Sequence, residues 1–190
     1  MANICDTTYK IYGSESAIKD LFNKLEIYGS NDIPLSDLAR EYNINTDEKN
    51  ISVRGYIYYY ELCDDNSILI ETETAWTACN ELFDEINRIL DNELIIDYRE
   101  IEVGCQVFNV KNTKGYFSEK CCVSASGEPF EDISEDVFST VYDAILYWCE
   151  KMQYDDKDKS EKEMLEIIED YEYQNEDTYF NIYEFDFLNE

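Results

Sequence analysis

A chain of 190 residues is long enough to bury a sizeable core, and its 44% of apolar residues can supply one. Against 15 Lys and Arg stand 44 Asp and Glu, a formal charge of −29, which repels nucleic acid and anionic membrane and argues against direct binding to either. The chain has no His, so Ser-His-Asp and Cys-His nucleophilic systems, His-ligated metal sites and the commonest general base are all missing.

The first element read from the pattern is a strand over 3–12, where Cys5, Thr7, Tyr9 and Ile11 alternate onto one face. Gly13 breaks it, and Ser14 is placed to cap a helix whose Ile18, Leu21, Phe22 and Leu25 recur at helical spacing. A short second helix is expected with Pro34 at its first turn and Leu35, Leu38 and Ala39 inward. The stretch "ISVRGYIYYYEL" (51–62) alternates Ile51, Val53, Ile57 and Tyr59 against Arg54, Tyr56, Tyr58 and Tyr60. After a turn, "ILIETETAW" sets Ile68, Ile70, Thr72, Thr74 and Trp76 against Leu69, Glu71 and Glu73, and the two strands are expected to pair as an antiparallel hairpin.

A helix from about Thr77 carries the stripe Leu82, Phe83, Ile86, Ile89 and Leu90. Strands are expected at 94–103, 105–111 and 115–124, the last two joined by a tight turn at "KNTKG". Ser134 is read as the cap of a long helix with the stripe Val137, Val141, Ala144, Ile145, Trp148 and Met152. "YDDKDKSEKE" reads as a charged linker, and Ser160-x-x-Glu163 as a capping box that opens a helix using Met164, Leu165, Ile168 and Tyr171. Within 181–187, Tyr183, Phe185 and Phe187 alternate with Ile182, Glu184 and Asp186, as in a strand with one docked face.

The order β-α-(α)-β-β-α-β implies an α+β, ferredoxin-like antiparallel sheet with helices on one face. The division expected is a domain over 1–153, with an added hairpin and helix, and an acidic, aromatic-rich C-terminal helical and strand extension over 154–190.

Part of the chain resembles a known family. "NICDTTYKIYG" before an amphipathic helix, the "TETAW" that ends at Trp76, Tyr98–Glu100 and Gly104–Phe108 are similar to elements of the YubB-type ferredoxin-like domain of plasmid and phage proteins. The likeness covers about residues 2–125. Ile4 stands where that family has Trp, Thr77 and Ala78 where prolines are usual, and Asn109 where Gly is expected. The resemblance implies a fold and a mobile-element setting, and it carries no catalytic residues.

Neither G-x-G-x-x-G nor G-x-x-x-x-G-K-[ST] occurs, and the cysteines make no C-x-x-C pair. No stretch approaches 18 consecutive apolar residues, and the opening segment has neither a basic nor an apolar leader region. The expectations are therefore a cytoplasmic protein in a host cell, with reduced cysteines, no catalytic residues, no cofactor and no metal site, and not an enzyme. Glu71 and Glu73 form the most regular carboxylate pair, read as a solvated strand face. The tyrosines of "YIYYYE" are read as cross-strand packing or a protein-binding face.

From Glu163 to the end there are ten Asp and Glu and no Lys or Arg. The candidate partner-binding residues are Glu163, Glu166, Glu169, Asp170, Glu172, Glu176, Asp177, Glu184 and Asp186, displayed by aromatics that anchor the segment. Ordered carboxylates can imitate the phosphate track of DNA, which carries one charge per ~1.7 Å. The leading expectation is an acidic interaction protein from a mobile element, a nucleic-acid mimic whose partner is the basic surface of a host defence nucleic-acid-binding effector such as a CRISPR or restriction nuclease. Two alternatives stay open: an accessory ferredoxin-like domain whose acidity serves solubility, and a divalent-cation-dependent binder.

Overall fold

The computed structural model describes residues 3–29, 32–131, 133, 135–175 and 177–188. They form two compact units, Met1–Phe117 with Phe187–Glu190, and Ser118–Asp186. The fold is α+β.

In the first unit β1 (Ile4–Gly13) buries Cys5, Thr7, Tyr9 and Ile11, the row read from the alternation. Ser14 caps α1 (Glu15–Glu26), its hydroxyl accepting the Ala17 N–H at 3.2 Å, and Ile18, Leu21 and Leu25 are buried. Ile33–Pro34 forms a short strand, β2, before α2 (Leu35–Glu41), so Pro34 sits at the N-cap and not inside the first turn. A single-turn helix, α3 (Thr46–Lys49), precedes β3 (Gly55–Leu62) and β4 (Ile68–Ala75), which pair antiparallel.

The tyrosine strand departs from strict alternation. Its register slips between Ile57 and Tyr59, so that Ile57 faces Thr72 but Tyr60 faces Ile70. An extra residue in one strand reverses the parity beyond it. Tyr60 therefore joins the core, its ring 6.0 Å from that of Phe22, while Tyr59 turns outward at 41% exposure. On β4, Ile68, Ile70, Thr72 and Thr74 are buried as expected. Trp76, expected to continue that row, has φ 75° and is exposed, because the left-handed residue turns the chain out of the strand.

The helix α4 (Asn80–Ile89) buries Leu82, Phe83 and Ile86 but leaves Ile89 exposed. It leads into β5 (Leu94–Glu102), which pairs with β6 (Val107–Lys111). The sheet order is β10-β6-β5-β1-β4-β3-β2, where β10 (Asp186–Leu188) is the C-terminal strand. One core packs the inner sheet residues against α1, α2 and α4.

The expected hairpin of 105–111 with 115–124 does not form. Asp97 of β5 accepts the N–H groups of Thr113 and Lys114 at 2.8 and 2.7 Å, and the Asn112 side chain brackets the backbone of Phe117. With its donors satisfied this way, the turn does not double the chain back onto β6. The next strand, β7 (Cys121–Ser126), begins later and belongs to another sheet.

In the second unit β7 lies between β8 (Asp136–Phe138) and β9 (Tyr179–Glu184), paired antiparallel with both. The long helix is shorter than expected. Val137 lies in β8, opposite Cys122, and α5 (Val141–Met152) starts where the Thr140 hydroxyl accepts the Asp143 N–H. The expected cap, Ser134, lies outside the described residues. Ala144, Ile145 and Trp148 are buried as the spacing predicts. The charged 154–159 segment lies inside this unit, and β7, β8 and α5 pack with α6 (Glu161–Gln174) and β9.

The tail is not one strand. It breaks at Phe185, whose N–H donates to the Lys120 carbonyl at 2.9 Å, and β9 and β10 join different sheets. Phe185, expected to dock, is buried, but within β9 the inward row is the opposite of the one expected. Phe180 faces Ala125 and Ile182 faces Val123 within the core, whereas Tyr183 faces Cys122. Among the described residues no helix is long and apolar enough to cross a membrane.

Candidate protein-binding surface

The acidic end of the second unit is built on α6. Ser160 and Glu163 close the capping box read from the sequence: the Ser160 N–H and hydroxyl both donate to Glu163 Oε2 at 2.7 Å, and the Ser160 hydroxyl accepts the Glu163 N–H at 3.3 Å. Those bonds, the backbone one first, hold the Glu163 carboxyl below its ordinary range. One stripe of the helix, Met164 and Ile168 with Leu165, Ile167 and Tyr171 partly covered, enters the core. Glu163, Glu166, Glu169 and Asp170 are exposed, and helical spacing puts them on the side away from that stripe.

The other candidate residues lie on other elements or at other points of α6. Asp177 is exposed before β9, Glu184 at its end, and Asp186 at the start of β10. Glu172 lies within α6, and Glu176 lies outside the described residues. Among the described residues, Glu163 is already engaged in the cap and Glu166 with Lys162 Nζ at 3.8 Å. Asp170, Asp177 and Glu184 are exposed, and Glu169 is exposed at the edge of an open groove.

That groove was not read from the sequence. It occupies about 570 Å³ and is lined by Leu165, Ile168, Glu169, Tyr173, Phe180, Asn181 and Ile182. Of the expected site residues only Glu169 lines it. Leu165 of α6 and Ile182 of β9, each only partly covered, reach the same space as the polar Glu169 and Asn181. Tyr173, 91% exposed, stands at its rim. Leu165 was marked as core in the helical pattern, and Tyr173 lies off that stripe. An exposed aromatic beside a carboxylate-rich helix face was the available signal.

The first unit holds a second group of acids. Asp6 of β1 lies directly opposite Glu73 of β4, and Glu71 is two residues along the same face. Burial, then Glu73 and Glu71, push the Asp6 carboxyl above its ordinary value. The Tyr56 hydroxyl donates to Glu73, which with burial raises Tyr56 to about 12. Burial and then Glu71 and Asp6 raise Tyr58 to about 12. This face is crowded and half-buried, not the freely solvated face expected for Glu71 and Glu73. Among the described residues no group of three or more Cys, Asp or Glu could hold a metal ion.

Comparison with family models, with curated proteins and with solved structures returns no match.

Proposed function

We propose that the chain is a non-enzymatic acidic interaction protein whose second unit docks on a basic protein surface. The observation that supports this reading most directly is the distribution of charge. Residues 118–186 carry 21 Asp and Glu against 5 Lys, a net −16, and none of the described carboxylates among them is buried. At the α6–β9 groove Glu169 stands beside Leu165, Ile168, Phe180 and Ile182, a combination suited to a partner with a cationic rim and an apolar anchor.

The more specific reading is that this charge imitates the phosphates of a nucleic acid and blocks a host defence effector that binds one. The chain order of the first unit, β1-α1 then β3-β4-α4-β5, with the sheet order β5-β1-β4-β3, agrees with a ferredoxin-like core. The resemblance to the YubB-type domain points the same way and brings a phage or plasmid setting and a host cytoplasm with it.

The test is capture from host lysate on the immobilised chain at low and high salt, followed by competition with duplex DNA. A nucleic-acid-binding protein that is retained at low salt, lost at high salt and displaced by the duplex supports mimicry, since counterion-driven contacts weaken steeply with salt. Recovery of no basic protein overturns it and leaves the accessory-domain reading.

A further inference from the structure

β9 is an edge strand. In the order β8-β7-β9 it has β7 on one side and, among the described residues, no strand on the other. The ladder shows which of its backbone groups face the open side. Cys121 pairs with Glu184, and in the same register the next pair, Lys120 with Phe185, is joined by the Phe185 N–H bond to the Lys120 carbonyl at 2.9 Å. Bonded pairs alternate along an antiparallel ladder. Tyr179, Asn181 and Tyr183 therefore turn their N–H and C=O groups toward β7, and Phe180, Ile182 and Glu184 turn theirs away from it. A strand added along this edge would find donors and acceptors already set at strand spacing.

The same strand forms one wall of the groove, through Phe180 and Ile182, and α6 forms the other through Leu165, Ile168 and Tyr173. Alternate side chains of a strand point to one face, so every second residue of an added strand can enter this space. Charge decides what the added strand is. Asp177, shortly before β9, and Glu184, at its end, are exposed, and Glu169 stands at the groove. A second copy of the chain would bring the same carboxylates to the same edge, and like charges set opposite each other oppose pairing. A segment rich in Lys or Arg is attracted instead.

We propose, resting on the docking reading above, that β9 is a strand-addition site for an extended basic segment of the partner protein. The segment joins the three-stranded sheet as a fourth strand. It bonds the outward backbone groups of Phe180 and Ile182, places alternate apolar side chains in the α6–β9 groove and sets Lys or Arg against Glu169, Asp177 and Glu184.

The test titrates the full-length chain with a labelled synthetic peptide of about nine residues, alternating lysine and valine, long enough to span the edge. Affinity is read by fluorescence anisotropy, and amide exchange is followed residue by residue by NMR. The peptide should slow exchange of the Phe180 and Ile182 N–H groups at least about tenfold, and its affinity should fall as salt rises. A fully N-methylated form of the peptide keeps the side chains and the charge but has no N–H to donate, and should bind about tenfold more weakly. Glu169→Lys, a change at an exposed position, should weaken the unmethylated peptide about threefold. If the methylated form binds as tightly, if protection falls away from β9, or if a folded Glu169→Lys chain keeps its affinity, strand addition is overturned while docking by charge stands. If neither peptide binds even at low salt, strand addition is overturned and the lysate capture decides the docking reading by itself. Dimerisation of the free chain that protects the same two amides assigns the edge to a second copy and also overturns the proposal.

Discussion

The first unit takes part of its negative charge into its own hydrogen-bond network, and the second turns its charge outward. In the first, Asp97, Glu100 and Glu102 are buried at 0, 6 and 2% exposure. Asp97 receives two backbone N–H groups of the 112–115 turn, Glu100 receives the Asn109 amide and the Ala78 N–H, and Glu102 receives those of Gly104 and Cys105. In the second unit the described carboxylates are exposed or half-exposed. A buried carboxylate with two or three donors is a structural element, whereas an exposed one contributes little to the fold and is available to a partner. The same residue type therefore does two jobs in one chain, and local backbone geometry decides which.

Breaking each core should have the largest effect. Leu21 is fully buried in the first core, so Leu21→Asp places an unpaired charge there and should cost at least about 4 kcal/mol. Loss of the cooperative melt by circular dichroism is the expected result, and a soluble, cooperatively melting variant would show that α1 is not packed as described. In the second core Phe180 is 1% exposed, with the Phe130 ring 4.9 Å away. Phe180→Ala should cost about 3–5 kcal/mol in a denaturant titration.

The next pair of variants addresses the carboxylates themselves. Asp97→Ala leaves the Thr113 and Lys114 N–H groups without their acceptor and should cost about 2–3 kcal/mol, with faster amide exchange in the 112–115 turn. Asp6→Asn should act in the other direction. The Asp6 carboxyl is raised by burial, Glu73 and Glu71, so the folded state holds that proton more tightly than the unfolded chain does. Wild type then carries a penalty above the raised value, which disappears as pH falls below the ordinary carboxylate range. The variant should melt higher than wild type near neutral pH, and the gap should close in acid. An unchanging gap would mean that Asp6 is not the titrating group.

The smallest stability change should come from the displayed acids. Replacing Glu169, Asp170, Glu184 and Asp186 by their amides should leave stability within about 0.5 kcal/mol or raise it as self-repulsion falls. The same variant should lose salt-dependent retention of a lysine-rich synthetic peptide on the immobilised chain. If retention is unchanged, these carboxylates are not the contact surface, and the two units differ in burial alone.

Much of the local structure was legible in the sequence. Strand alternation placed Cys5, Thr7, Tyr9 and Ile11 inward, helical spacing placed Leu21, Ile86 and Trp148 in the cores, and Ser14 and the Ser160–Glu163 box marked helix starts. Each of these depends on near neighbours in the chain, so periodicity and capping chemistry suffice. The exposed acids of α6 followed from the same spacing.

Tertiary structure alone decided the rest. A one-residue slip at Tyr58 sent Tyr60 inward and Tyr59 out, which no alternation shows because register is set by the partner strand. The 112–115 turn became a loop held by Asp97, a residue 16 positions upstream of Thr113. The tail parted at Phe185 into two sheets, and the inward row of β9 proved to be Phe180 and Ile182, because β7 supplied the pairing edge. The groove beside Glu169 and the contact of Lys10 with Cys63 join residues far apart in the chain. A sequence states which side chains a segment offers; which distant backbone satisfies its donors and acceptors is settled only when the chain closes on itself.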